Sequence, residues 1–141
     1  ARNQRVAMLS YFDGKDTKMN NATRILTVDD SPSMRALLMH ALTAQGFEVQ
    51  QAEDGEVALN WLATNEVDVI ITDINMPNLD GFGLIEKLRE SSRHADRPIL
   101  VLSTESSDEK KKRARDAGAT GWIVKPFDAA KLANAVRRVT H

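Results

Sequence analysis

The sequence predicts a doubly wound α/β domain, a parallel five-stranded sheet with helices on both faces. Three observations carry this. Between Thr23 and His141, short β-branched apolar runs alternate five times with amphipathic stretches. Two of the runs, around Val69-Ile70-Ile71 and Ile99-Leu100-Val101-Leu102, show no polar alternation, as strands covered on both faces do. The exits of four runs are polar: Asp29-Asp30, Asp73, Ser103-Thr104 and Lys125. Strands joined through helices run parallel, and their right-handed crossovers distribute the helices over both faces.

A chain of 141 residues is long enough to bury one sizeable core. Hydrophobic residues are 42% and charged residues 28%, an ordinary globular balance. The net charge of -1 gives no overall attraction to nucleic acid or an anionic membrane, so neither is expected as a partner. The absence of Cys excludes disulfides and thiolate metal sites and fits a cytoplasmic protein. No apolar run approaches the ~20 residues of a spanning helix. The run Val6 to Leu9 is too short for a secretion signal.

Residues 1–22 carry mixed charges, Gly14 and Asn20-Asn21, with neither strand alternation nor a helical stripe. They read as a leader, disordered or vector-derived, with Met19 as a natural start. The rival reading is a docking arm using Tyr11 and Phe12. Residues 23–141 form the domain. Ile25 to Val28 is the first strand. Ser31 and Pro32 read as an N-cap with Pro at the first helical position. The helix that follows carries Met34, Leu37, Leu38, Ala41 and Leu42 on one stripe and stops at Gly46.

Phe47 to Ala52 is the second strand, with Phe47, Val49 and Gln51 on one side. Asp54-Gly55 opens a helix with Ala58, Trp61 and Leu62. The third strand starts at Val67 and ends in Asp73; Pro77 and Asp80-Gly81 then turn the chain. A helix with Phe82, Ile85 and Leu88 runs to about Arg93. After the fourth strand, residues 106–117 form a charged helix whose inner face offers only Ala114 and Ala117. Trp122 to Val124 is the fifth strand. Asp128 caps a last helix with Leu132, Ala135, Val136 and Val139. The basic run Lys110 to Arg115 is flanked by Asp108, Glu109 and Asp116 and has no aromatic, so it reads as a solvated face. His40, His94 and His141 read as surface residues without metal-ligand spacing.

Ligands bind open α/β sheets outside the carboxyl ends of the strands. The polar exits would therefore gather there. Three carboxylates close together repel and raise one another's pKa, and a divalent cation is the natural remedy. Oxygen donors without His or Cys favour Mg²⁺, with Mn²⁺ possible. An aspartate can act as nucleophile and form an acyl phosphate. Lys125 and Ser103 could then hold phosphoryl oxygens.

Val28-Asp29-Asp30-Ser31, Asp73-Ile74-Asn75-Met76-Pro77 with Asp80-Gly81, Ser103-Thr104, and Lys125-Pro126-Phe127 together resemble the receiver domain of two-component response regulators. The likeness is to the single-domain, CheY-like chemotaxis type. It implies the flavodoxin-like strand order 2-1-3-4-5, which places the first and third strands side by side. It implies Asp73 as phosphoacceptor. It also implies a Mg²⁺ site of Asp29, Asp30, Asp73 and the backbone carbonyl of Asn75, with Asp29 acting partly through water. Lys125 would contact the phosphoryl group, across a cis bond to Pro126. Ser103 would be the hydroxyl that swings onto it, and Trp122 the aromatic that changes burial. Asn75 and Glu105 would tune dephosphorylation.

The resemblance further implies a phosphorylation switch, active only in its own phosphorylation and dephosphorylation. The donor would be a histidine kinase of chemotaxis type. The chain ends just after its last helix, so output is expected through protein contact. A monomer would present residues 106–117, 122–124 and 128–139 to the flagellar motor switch protein; a phosphate sink or phosphorelay intermediate is the near alternative. A Mg²⁺-dependent aspartyl phosphohydrolase shares the acidic cluster, but usually needs a cap domain for which this length leaves no room.

Overall fold

The computed structural model describes residues 22–140. The leader expected over residues 1–22 lies, but for Ala22, outside them, as does His141. Five strands and five helices alternate. They are β1 (Arg24–Val28), α1 (Pro32–Ala44), β2 (Glu48–Ala52), α2 (Gly55–Leu62), β3 (Val69–Thr72), α3 (Gly81–Glu90), β4 (Ile99–Ser103), α4 (Asp108–Ala117), β5 (Gly121–Val124) and α5 (Ala129–Val139). The sheet order is β2-β1-β3-β4-β5 and every pairing is parallel. The doubly wound, flavodoxin-like architecture is as expected.

Two apolar layers sandwich the sheet. Leu26, Val28 and Ile70 face Leu62, Phe82, Ile85 and Leu88, on the side of α2 and α3. Ile25, Val69 and Ile71 face Leu38, Leu42, Leu132 and Val136, on the side of α1 and α5. Successive residues of β1 and β3 thus point to opposite layers, which is why these runs show no apolar–polar alternation. All four β3 residues are buried. Burying a Leu or Ile side chain fully is worth roughly 1.5–3 kcal/mol, so these layers supply the bulk of the stability.

The helix starts are written in the sequence. Ser31, Asp54, Asp80, Ser107 and Asp128 each accept a backbone N–H in the first turn of the helix they precede. Pro32 occupies the first position of α1, where no N–H is needed. Gly118 ends α4 at φ +116, in the left-handed region glycine takes without strain.

Four details depart from expectation. Leu37, placed on the inner stripe of α1, is 56% exposed, while Leu38 and Leu42 carry the buried face. α3 stops at Glu90 rather than near Arg93, because the Ser91 hydroxyl accepts from the N–H groups of Arg93 and His94 and turns the chain. His94 is not a surface residue: it is 3% exposed, and its Nε2–H donates to the Leu62 carbonyl at 2.9 Å, closing the end of α2. His40 is exposed as expected. Phe47 and Val49 are buried, but Gln51 is exposed on the edge strand, where its amide donates to the Arg35 carbonyl.

The charged helix α4 is thinly packed, with Ala114 its one buried residue. Arg113 stacks over the Phe82 ring at 4.0 Å. Arg89 Nε donates to the Gly118 carbonyl at 2.9 Å, holding the end of α4.

Candidate functional site

β1 connects outward to β2, and β3 lies on its other side, so the topology switches between β1 and β3. The residues leaving these two strands meet there. Asp29 and Asp30 follow β1 and Asp73 follows β3. Carboxylate oxygens of the three lie within 4.8 Å of one another. The ladder holds them in place: Asp29 N–H donates to the Ala52 carbonyl, and Asp73 N–H to the Val28 carbonyl.

Asp29 is almost wholly buried, at 2% exposure. Its Oδ1 accepts the Ser31 N–H at 2.9 Å and its Oδ2 accepts Lys125 Nζ at 2.9 Å. Arg35 Nη1 donates to the Asp29 carbonyl at 2.6 Å. Asp30 is exposed, and Asp73 is half-buried with Oδ1 accepting the Ile74 N–H at 2.7 Å. The second Asp73 oxygen accepts Lys125 Nζ at 3.1 Å. One ammonium therefore bridges two carboxylates and leaves the third to solvent.

Burial pulls the Lys125 pKa down, and this is the largest single influence on it. The hydrogen bonds and charges of Asp29 and Asp73 together outweigh it and leave the pKa above the ordinary lysine value. Lys125 is thus a fixed positive charge at neutral pH. Its peptide bond to Pro126 is cis.

The donor set is all oxygen, without sulfur or imidazole. Two of the carboxylates are anchored by backbone N–H groups, and the third faces water. That combination fits a hard divalent cation of Mg²⁺ type, which keeps several waters and takes few carboxylates.

Ser103 is fully buried, and its hydroxyl accepts the Glu105 N–H at 3.2 Å rather than reaching the carboxylates. Its carbonyl accepts the Lys125 N–H at 2.8 Å. Trp122 is half-buried, and its indole N–H donates to the Glu105 carbonyl at 2.9 Å. The Glu105 side chain pairs with Lys110 at 3.2 Å. Asn75 is exposed on the loop after Asp73. Lys125 therefore joins Asp29 and Asp73 directly with Asp30 beside them, while Ser103 and Trp122 meet at Glu105 on the β4–α4 loop.

Two supporting residues had no chemical signature in the sequence. Arg35 clamps the Asp29 backbone; its only signal was its place one turn after Ser31. At Gly81, read only as part of a turn, a Cβ would collide with the Asp73 carbonyl oxygen and the Ile74 Cα. Its N–H donates to the Ile74 carbonyl at 2.8 Å.

Fold and site define a class: doubly wound α/β domains with a polar, cation-compatible cluster at the switch point of the sheet. A family model described as response regulator receiver domain matches residues 25–137, and the chain belongs to that family. A gliding motility regulatory protein of Myxococcus xanthus is 42% identical over 118 residues, 83% of this chain but only 15% of that protein. Chemotaxis protein CheY-3 of Vibrio cholerae is 35% identical over 122 residues, 86% of this chain and 94% of that protein. The solved structure of the chemotaxis response regulator CheY4 of Vibrio cholerae is 43% identical, with a TM-score of 0.80, covering 84% of this chain and 99% of that one.

Proposed function

We propose that the chain is a phosphorylation switch in which Asp73 accepts a phosphoryl group from a histidine kinase. The observation that carries this reading is the cluster itself: carboxylates of Asp29, Asp30 and Asp73 within 4.8 Å, with Lys125 bonded to two of them. An Asp73 oxygen bonds to phosphorus as the phosphorus–nitrogen bond of the donor breaks, and the imidazole leaves with the electron pair. The side chains of Asp30 and Asp73 and the carbonyl of Asn75 would hold Mg²⁺, with Asp29 acting partly through water. When bound, that cation supplies positive charge for the phosphoryl oxygens. Lys125 pairs with one of those oxygens. The Ser103 hydroxyl gives up its contact with the Glu105 N–H and donates to another. Asn75 and Glu105 set the lifetime of the acyl phosphate.

Ser103 and Trp122 both hydrogen-bond to Glu105, so movement of Ser103 disturbs the loop that starts α4. The surface of α4, β5 and α5 changes with it, and a protein partner reads that change. A groove of about 210 Å³ between α4 and β5, lined by Ala114, Thr120 and Trp122, lies on this surface. Chemotaxis is the favoured setting and the flagellar motor switch the favoured partner, because the similar proteins carry chemotaxis and gliding-motility names. A histidine-kinase donor implies a cytoplasmic site of action.

Incubation with acetyl phosphate and Mg²⁺ tests the reading. Stoichiometric, base-labile labelling that Asp73→Asn abolishes is the expected result. Labelling retained in Asp73→Asn, or sustained release of phosphate from a generic phosphomonoester, overturns it; the second outcome favours the phosphohydrolase.

A further inference from the structure

The loop between Asp73 and α3 contains a turn that holds an unusual shape. Leu79 N–H donates to the Pro77 carbonyl at 2.7 Å, with Asn78 between them at φ +69. That is left-handed backbone, which Asn tolerates better than most residues. Such a conformation persists where its surroundings over-determine it. Asn75 and Met76 precede the turn. Asp80 and Gly81 follow it, and Gly81 packs against the Asp73 carbonyl.

The hydrogen bonds that reach this turn come from the corner between β2 and α2. Gly55 N–H donates to the Leu79 carbonyl at 3.1 Å, and a Cβ on Gly55 would come within 2.6 Å of that oxygen. Asn78 Nδ2 donates to Asp54 Oδ2 at 2.8 Å. Among the described residues, no other hydrogen bond from outside reaches residues 75–79.

Asp54 is 3% exposed, and its two oxygens have separate tasks. Oδ1 accepts the Val57 N–H at 2.9 Å and caps α2. Capping needs one acceptor, which Ser or Thr could supply. The second oxygen is committed to Asn78. The Val57 N–H first, and the Asn78 amide next, hold the carboxyl below the ordinary carboxylate range against the upward push of burial. The acceptor is therefore ionised at neutral pH and the bond is charge-assisted.

We infer that Asp54 and Asn78 are positioning residues for the cation: their hydrogen bond sets the course of the loop that carries the Asn75 carbonyl, and hence the affinity for Mg²⁺. This rests on the Asn75 carbonyl being a ligand, as proposed above. Outer contacts that orient metal ligands are worth roughly 10–100-fold in affinity.

Calorimetric titration of the full chain with Mg²⁺ alone is the test. Asp54→Ser keeps the cap but lacks the second oxygen; Asn78→Ala removes the donor. Each raises the Mg²⁺ Kd about tenfold. Joining Asp54→Asn to Asn78→Asp recreates one N–H···O contact and returns the Kd to within about twofold of the original, as coupled neighbours do. Purely structural damage would lower Tm without this rescue. Single variants that bind like the original chain, or a swap that restores nothing, overturn the inference, while loss of binding in Asp30→Asn keeps the cation site standing. No Mg²⁺ binding by the original chain, or unchanged binding in Asp30→Asn, overturns both.

Discussion

Lys125, at the exit of β5, donates to the Asp73 carboxylate at 3.1 Å, reaching past β4 to the exit of β3. The same ammonium satisfies Asp29 at 2.9 Å. Removing it leaves two adjacent carboxylates, one of them buried, without a counter-charge. Lys125→Met should cost about 3–5 kcal/mol in urea unfolding without Mg²⁺, as breaking a buried ion pair does. Because the folded pKa is raised, this stabilisation is fully present below the ordinary value of 10.5 and is lost as pH rises through the folded pKa. The stability gap should therefore be constant from neutral pH to about pH 9 and close only in strong alkali. A gap that narrows in that lower range would contradict the assignment.

The clustered carboxylates repel when no cation is bound. Mg²⁺ should raise Tm, by the equivalent of about 2.7 kcal/mol at a hundred times Kd. Asp30→Asn should remove that rise. It should also stabilise the Mg²⁺-free protein slightly, because it takes one charge from the cluster without breaking a buried contact. Scanning calorimetry with and without Mg²⁺ reads both effects, and an Mg²⁺-dependent rise retained in Asp30→Asn would exclude it as a ligand.

Trp122 is bonded to the Glu105 carbonyl, and Glu105 is bonded to the Ser103 hydroxyl. Phosphorylation of Asp73 should therefore alter the surroundings of the indole. In a Trp61→Phe background, acetyl phosphate with Mg²⁺ should change the Trp122 emission. The change should vanish in Ser103→Ala and in Asp73→Asn. A spectrum unaffected by acetyl phosphate in a chain that takes up label would remove Trp122 from the response.

Gly81 has no room for a side chain against the Asp73 carbonyl. Gly81→Ala should cost about 1–3 kcal/mol, the usual range for overpacking. Because the added methyl displaces the backbone of Asp73 itself, labelling from acetyl phosphate should slow as well. Equal stability and labelling in the variant would show that the loop yields freely.

Much of this protein is legible from its sequence. Strand order apart, the fold follows from local signals: apolar runs for strands, Ser or Asp caps for helices, and Gly46 as a stop. These are effects of nearest neighbours and hydration, so they need no knowledge of distant contacts. The acidic cluster was legible for a related reason. A charge that ends a buried strand has one place to go, and the parallel topology sends Asp29, Asp30, Asp73 and Lys125 to the same edge.

Tertiary structure decided what depends on pairs far apart in the chain. Nothing near His94 announces that its ring closes α2 through the Leu62 carbonyl. Nothing in Asp54-Gly55 reveals that a helix cap also holds the turn at Asn78. No local signal shows that the Ser103 hydroxyl, expected to swing onto the phosphoryl group, accepts the Glu105 N–H in this structure. Composition and periodicity select which residues are buried or charged, because solvation acts on each residue singly. Which donor meets which acceptor is fixed only when the packed sheet brings separate loops within the ~3 Å of a hydrogen bond.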